Sequence, residues 1–324
     1  MNHQKTILFV TGMPRSGTKL FRKLLNNNQN ISIPESETLI IPKLLRKYGD
    51  RELSSEELND VYQQILKSKF YLNLHADFPG YNLMESATYS VTITDVIIDL
   101  LSFFGKNKNA KVIGDKTPGY LMHIDLLLKY FKNAKVIHIV RDPRDCSYSV
   151  AHAWGRSYLR AADRWKRGVE SVRKSKLIND DNFLLIHFEE LLENPQKNLT
   201  KVCDFIGVDF TKEMINLQKS TENLGEAKGY IGIKQDNKNK FKTKFTNKQL
   251  RKIESIVKPE LLYYGYKLEN EVEYKPLNYV ERKLLKLHDG IKSIHFHINE
   301  KGLKKGIIYF LKVHRQNSTR GVLE

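Results

Sequence analysis

The chain has 324 residues, 40% of them hydrophobic, enough to bury one large core or two modest ones and too apolar for a disordered segment. Its 54 basic and 37 acidic residues leave a net charge of +17, which draws polyanions: nucleotides, nucleic acid, acidic glycans or anionic lipid. Cys146 and Cys203 are too few for a disulfide framework or a metal cage, no leader pattern precedes the strand-like run at Thr6, and no apolar run approaches the roughly 20 residues that span a bilayer, so a soluble protein of the reducing cytoplasm is expected.

Strand signals and helix signals alternate along the chain. Apolar, β-branched runs predict strands at 6–10 (TILFV), 111–113 (KVI), 135–140 (KVIHIV) and 183–188 (FLLIHF). Between them, helical patterns cover 18–27, 54–70 with a Ser cap and early glutamates, 94–105 running to a Gly, and 117–131 with Pro118 in its first turn. Residues 229–244, GYIGIKQDNKNKFKTK, read as a basic loop over the site. A helix follows from 246 to about 257, and then a tail with two amphipathic stretches, YVERKLLKLHDGI and KKGIIYFLKVHR. This alternation predicts an α/β fold with a central, mostly parallel sheet flanked by helices, its ligands at the carboxyl ends of the strands.

The first loop, GMPRSGTK, sits at such an end. A strand, a Gly-containing turn and a helix start gather backbone N–H groups around one point, where the helix dipole also favours negative charge. Gly12 and Gly17 keep the spacing of a nucleotide-hydrolase loop, but Thr18 precedes Lys19, Leu20 stands where a metal-binding hydroxyl would be, and Arg15 lies inside the loop. A second constellation follows KVIHIV: in RDPRDCSYS, Arg141 leaves the strand and Ser149 lies eight positions on. An arginine fork and a hydroxyl together suit a compact dianion such as a ribose phosphate. Asp142 and Asp145 read as caps and partners for the arginines around Pro143. The ten histidines show no metal spacing, and His123 and His152 fall on helical patterns as structural residues.

Together, PRSGTKLFRKLL and KVIHIVRDPRDCSYS resemble the paired cofactor motifs of sulfotransferases that use 3′-phosphoadenosine 5′-phosphosulfate, PAPS. GDKTPGY at 114–120 and IHFEELLENPQKNLTKVCDFIGV at 186–208 resemble further segments of that family. The likeness covers residues 6–210 well and 240–266 loosely; the tail after about 270 matches nothing in it. It implies a P-loop-like three-layer fold, a sulfotransferase domain at 1–270 and a basic helical extension at 271–324. It implies PAPS as sulfuryl donor, with the 5′-phosphosulfate on Arg15, Ser16, Gly17, Thr18 and Lys19, the 3′-phosphate on Arg141 and Ser149, and adenine near Phe188, which could equally pack in the core. No metal is expected, because the sulfuryl group carries less charge than a phosphoryl group and arginine and lysine can neutralise it.

The resemblance also implies the chemistry. Glu37, in ISIPESETLIIPKLL, stands where tyrosylprotein-type and bacterial members carry a glutamate base. Glu35 is the rival two residues earlier, and a plain helix cap from about Ser36 is the bland reading. Arg15 and Lys116 form the implied electrophilic pair at the sulfonate and bridging oxygens. The partner is a hydroxyl-bearing acceptor: a small alcohol, a polysaccharide or a protein tyrosine all fit. The basic loop suits an anionic glycan or lipid-linked saccharide, and the basic tail suits a membrane surface. Two readings compete. A nucleotide kinase or NTPase is opposed by the Gly-Thr-Lys order. A non-enzymatic polyanion binder would use Lys228, Lys234, Lys238, Lys240, Lys242, Lys244, Lys248, Arg251 and Lys252, though with only Phe241 and Phe245 interleaved a nucleic-acid surface is not expected.

Overall fold

The computed structural model describes residues 5–83, 91–222, 224–304 and 306. Five strands, β1 (Thr6–Gly12), β2 (Ile31–Ser32), β3 (Val112–Lys116), β4 (Ala134–Val140) and β5 (Phe183–His187), make one parallel sheet in the order β2-β3-β1-β4-β5. The helices are α1 (Thr18–Asn26), α2 (Ile41–Tyr48), α3 (Ser55–Leu66), α4 (Lys69–Leu74), α5 (Ile93–Phe103), α6 (Ile124–Tyr130), α7 (Pro143–Trp154), α8 (Tyr158–Arg173), α9 (Phe188–Glu193), α10 (Pro195–Ile206), α11 (Phe241–Lys244), α12 (Asn247–Tyr263) and α13 (Tyr279–Lys301).

Because strand side chains alternate, the sheet buries two faces. Ile7, Phe9 and Val136 face α5, α8 and α12 through Val96, Trp165 and Val257, whereas Leu8, Val10, Ile137 and Ile139 face α1 and α10 through Phe21, Leu24 and Val202. The result is the P-loop-like three-layer α/β arrangement expected from the alternation. The chain leaves β1 toward β3 and leaves β4 toward β5, in opposite directions. Their carboxyl ends, paired at Gly12 and Ile139, thus flank a topological switch point, where α/β sheets hold ligands.

All four expected strands form; β2, two residues long, is too short for any periodicity to reveal. Several helix limits differ from the pattern. The expected helix at 54–70 breaks at Ser68, whose hydroxyl accepts from the N–H of Tyr71 and starts α4 afresh. Residues 118–123 form a 3-10 turn before α6. The helix expected to stop near 257 continues through Pro259, since Ile253, Val257 and Leu261 bury one face, and the Ser255 carbonyl freed by the proline accepts from the Lys275 N–H at 2.8 Å.

The segment 229–240 is loop, as expected, and α11 follows it, held by the Phe241 N–H to Asp145 and by Arg144 over the Phe241 ring. Of the tail, the first amphipathic stretch belongs to α13, which is tied to α8 by Arg282 on Asp163 and by Asp289 on Arg160. Its outer face leaves Val280, Leu284, Leu287 and Ile291 exposed. The second stretch falls, from 307 on, outside the described residues. Among these, no helix is long and apolar enough to cross a membrane.

Candidate active site

Gly17 caps α1 in a left-handed conformation, φ 86°, and a Cβ built there would meet the Phe188 ring at 2.1 Å. Backbone freedom and close approach therefore both require glycine at this position. α1 has no side-chain cap and no acidic residue in its first turn, so its leading N–H groups remain open to an external anion. Ser16 turns its hydroxyl inward to the sulfur of Cys146 at 3.6 Å and Thr18 packs its methyl over Gly12, so their contribution to an anion is the main chain.

Arg15 adopts φ 75°, unusual for a residue with a side chain, and four interactions hold it there. Its Nε donates to Ser149 Oγ at 3.0 Å, Nη1 to Glu222 at 3.1 Å and Nη2 to the Leu224 carbonyl at 3.1 Å, while the guanidinium lies 5.7 Å from the Trp154 ring centre. Arg141 donates to the Arg15 and Asn237 carbonyls, both at 2.9 Å, and lies 4.7 Å over the Phe188 ring; its Nε is buried without a partner. Arg15, Arg141, Ser149 and Phe188 thus meet in one cleft of about 50 Å³, closed over by Glu222, Tyr230, Lys234, Asn237 and Lys240. Phe188 lies one residue past β5, as the first residue of α9, with its ring buried against the loop. Asp142 caps α7 and grips Arg144, which also reaches Glu254.

Across the loop lies a roomier cavity of about 360 Å³, lined by Arg15, Lys19, Glu37, Lys116, Trp154, Arg164 and Glu222. Lys116, the last residue of β3, donates to Glu37 Oε1 at 2.5 Å. Glu35 points elsewhere: its carboxylate is 70% exposed and 3.6 Å from Arg22, a buried residue that also binds the Glu35 carbonyl. Neither glutamate caps a helix, because residues 37–40 are irregular and α2 begins at Ile41. Lys19 turns into this cavity, where burial lowers its pKa.

The position of Glu37 depends on a network that sequence patterns did not disclose. Asp115, fully buried on β3, accepts from Thr38 at 2.7 Å and from Thr117 at 3.1 Å; Thr38 also bonds the Tyr120 hydroxyl, which accepts from the Ile41 N–H. Burial pushes the Asp115 carboxyl up to about 6. Asp115 lies beside Lys116 in sequence, and that adjacency is the one available hint. Glu222 and Trp154 were missed as well, since neither carries a motif. Of the basic-loop lysines, Lys234 and Lys240 line the cleft, whereas Lys238 pairs with Glu193 and Lys242 with Glu269.

The uncapped first helix, Arg15 and Arg141 and the Lys116–Glu37 couple lie around the loop of a P-loop-like α/β protein, with a second cavity beside it. The chain belongs to the sulfotransferase family, whose sequence profile, described as "Sulfotransferase family", matches residues 8–212. It is 24% identical over 242 residues to protein-tyrosine sulfotransferase 1 of Danio rerio, covering 70% of this chain and 59% of that protein. With the protein-tyrosine sulfotransferase of Drosophila melanogaster it is 23% identical, over 66% of this chain and 40% of that one. The chain thus spans about half the length of the curated relatives it matches. Two solved structures share the fold: the sulfotransferase domain of the Synechococcus PCC 7002 olefin synthase (TM-score 0.54, 21% identity, 76% of this chain and 91% of that one) and that of the curacin biosynthetic pathway (0.55, 19%, 82% and 99%).

Proposed function

We propose that this protein moves a sulfuryl group from PAPS to the hydroxyl of an acceptor, with Glu37 as general base and adenosine 3′,5′-bisphosphate as the nucleotide product. The observation that carries the reading is the contact of Glu37 with Lys116 in a cavity that adjoins Arg15 and the uncapped start of α1. Three features support a fit to the donor: the open N–H groups of α1, the unpartnered Arg141 Nε, and a glycine that lets Phe188 reach the loop. The start of α1, with Arg15 and Lys19, receives the phosphosulfate end; Arg141 and Ser149 receive the 3′-phosphate; Phe188 lines the adenine side.

PAPS supplies the sulfuryl group, and the electron pair of its broken S–O bond leaves with the bisphosphate. Glu37 takes the hydroxyl proton as the acceptor oxygen bonds to sulfur. Lys116 fixes the Glu37 carboxylate, and its charge, with those of Arg15 and Lys19, offsets the negative charge gathering on the leaving oxygen. Acceptors on this reading are a glycan, a lipid-linked saccharide, a small-molecule alcohol or a protein tyrosine, the last supported by the likeness to protein-tyrosine sulfotransferases. Residues 1–270 carry the transfer. We assign the extension from 271 to an anionic membrane surface, supported by the exposed Val280, Leu284, Leu287 and Ile291 beside Lys283 and Lys292 and by the net charge of +17. Sedimentation with phosphatidylglycerol vesicles checks this: loss of binding in Leu284→Asp/Leu287→Asp is expected, and unchanged binding removes it.

Calorimetric titration with adenosine 3′,5′-bisphosphate, and separately with ATP and Mg²⁺, tests the main reading. The bisphosphate is expected to bind, and Arg141→Ala to weaken it by roughly tenfold or more, the effect of losing charge-assisted hydrogen bonds. Binding of ATP with Mg²⁺ and none of the bisphosphate would favour a nucleotide kinase instead.

A further inference from the structure

Arg164 opens on the cavity that holds Glu37 and Lys116, and also on a smaller recess behind it lined by Met13, Pro14, Arg156 and Asp289. As a residue it is partly exposed, as a side chain facing a cavity must be, but its Nε is buried and has no partner. None of the hydrogen bonds or ion pairs among the described residues reaches its guanidinium. Its charged neighbours are mostly of its own sign. Burial above all, and then Arg160, Arg156 and Arg167, bring its pKa down to about 10, and Asp289 alone opposes them.

Asp289 has little to offer. Its Oδ1 accepts from the Ser157 N–H at 2.7 Å and its Oδ2 from Arg160 at 3.0 Å. The other nearby carboxylate, Asp163, is taken by Arg167 and by Arg282. Arg156 shares the shortage: it is half-buried and lies 5.4 Å from the Trp154 ring centre, with Arg15 at 5.7 Å from the same indole. A guanidinium does not give up its proton in a protein, so one with a buried Nε and no counter-charge is stabilised by an anion brought in from outside. The route to Arg164 runs through the cavity beside Glu37.

We propose that Arg164, backed by Arg156, is an anion subsite for the acceptor, so that the molecule whose hydroxyl meets Glu37 also carries a carboxylate, sulfate or phosphate group. The inference rests on the reading of this cavity as the acceptor's place. The planar fork of arginine suits all three oxyanions, and Trp154 supplies an apolar wall beside them. Specificity then comes from charge at one end of the acceptor, while the transferred group is handled by Lys19, Lys116 and Arg15 at the other.

The test uses the full chain saturated with adenosine 3′,5′-bisphosphate, so that added anions do not report on the nucleotide cleft. Two matched pairs of probes are titrated by calorimetry: 4-hydroxyphenylacetate against 4-hydroxyphenylacetamide, and methyl β-glucuronide against methyl β-glucoside. In at least one pair the acid is expected to bind roughly tenfold or more tighter than its neutral partner, and Arg164→Gln to erase that preference while leaving bisphosphate affinity unchanged. The aryl and sugar pairs separate the two kinds of scaffold. No preference for the acid in either pair, or a preference that survives Arg164→Gln, overturns the proposal. If Arg164→Gln does not fold, Arg164→Lys takes its place and must weaken the preference. Failure of the wild type to bind the bisphosphate at all strikes the sulfotransferase reading instead.

Discussion

On the nucleotide side of the loop, Arg15 and Arg141 are bonded to Ser149, to Glu222 and to the main-chain carbonyls of Arg15, Leu224 and Asn237, and the cleft between them is about 50 Å³. On the other side, Lys19 and Arg164 border about 360 Å³ of open space with no ion-pair partner among the described residues. In the first region the protein provisionally satisfies both arginines apart from the Arg141 Nε; in the second, Glu37 holds Lys116, and Lys19 and Arg164 are left over. On the proposed reading, an anion entering the first competes with Glu222 and with the Leu224 and Asn237 carbonyls for Arg15 and Arg141. An anion reaching Lys19 or Arg164 meets no ion-paired competitor among the described residues.

Three experiments press on that difference. The largest effect is expected from Glu37→Gln, which removes the proton acceptor of the open cavity without touching the cleft. Transfer should fall by about 10²- to 10⁴-fold in single-turnover assays with bisphosphate affinity retained, and Glu35→Gln should leave transfer near wild type. If Glu35→Gln is the damaging change, the base moves by two residues.

Next in size is Glu222→Gln. Freed of its competitor, Arg15 should bind the bisphosphate several-fold more tightly, on the order of the 1 kcal/mol expected for a partly exposed ion pair. Weaker binding would mean that Glu222 positions Arg15 for the nucleotide rather than occupying it.

The smallest effect concerns Asp115. Its folded-state pKa, about 6, lies above the ordinary carboxylate value, so the folded protein holds a proton that the unfolded chain has lost. Stability therefore falls as pH rises from about 4 to about 6, with a slope of up to about 1 kcal/mol per pH unit. Denaturant unfolding of Asp115→Asn should lack that slope; equal slopes in the two proteins would mean the Thr38 and Thr117 hydroxyls already hold Asp115 ionised.

The elements that local pattern could disclose were those whose pattern is sufficient to form them. β1, β3 and β4 are apolar and β-branched because both faces are buried, and the Gly17 turn leaves the N–H groups of an uncapped helix start open. Ser149 lies on α7, which begins two residues after Arg141, so the spacing alone places the two about two turns apart. Glu37 was nameable through resemblance, but the reason it stands in the cavity while Glu35 does not was not.

What only tertiary structure decided are the meetings between distant segments. Asp115, Thr38 and Tyr120 form one network through contacts 77 and 82 residues apart, and Glu222 reaches Arg15 across 207. Arg164 shows the same limit most sharply. On a helix rich in arginine its charge reads as solvated surface, because periodicity reports which face is apolar and not which polar side chain a neighbouring loop will roof over. The amino-acid sequence by itself determined a P-loop-like α/β protein with a glycine loop at a strand end, and the family resemblance named Glu37 and Lys116 beside it. Which cations were neutralised and which were left facing open space depended on where Glu222, Asp289 and Trp154 came to rest, since electrostatic pairing follows distance in space and burial, neither of which local sequence encodes.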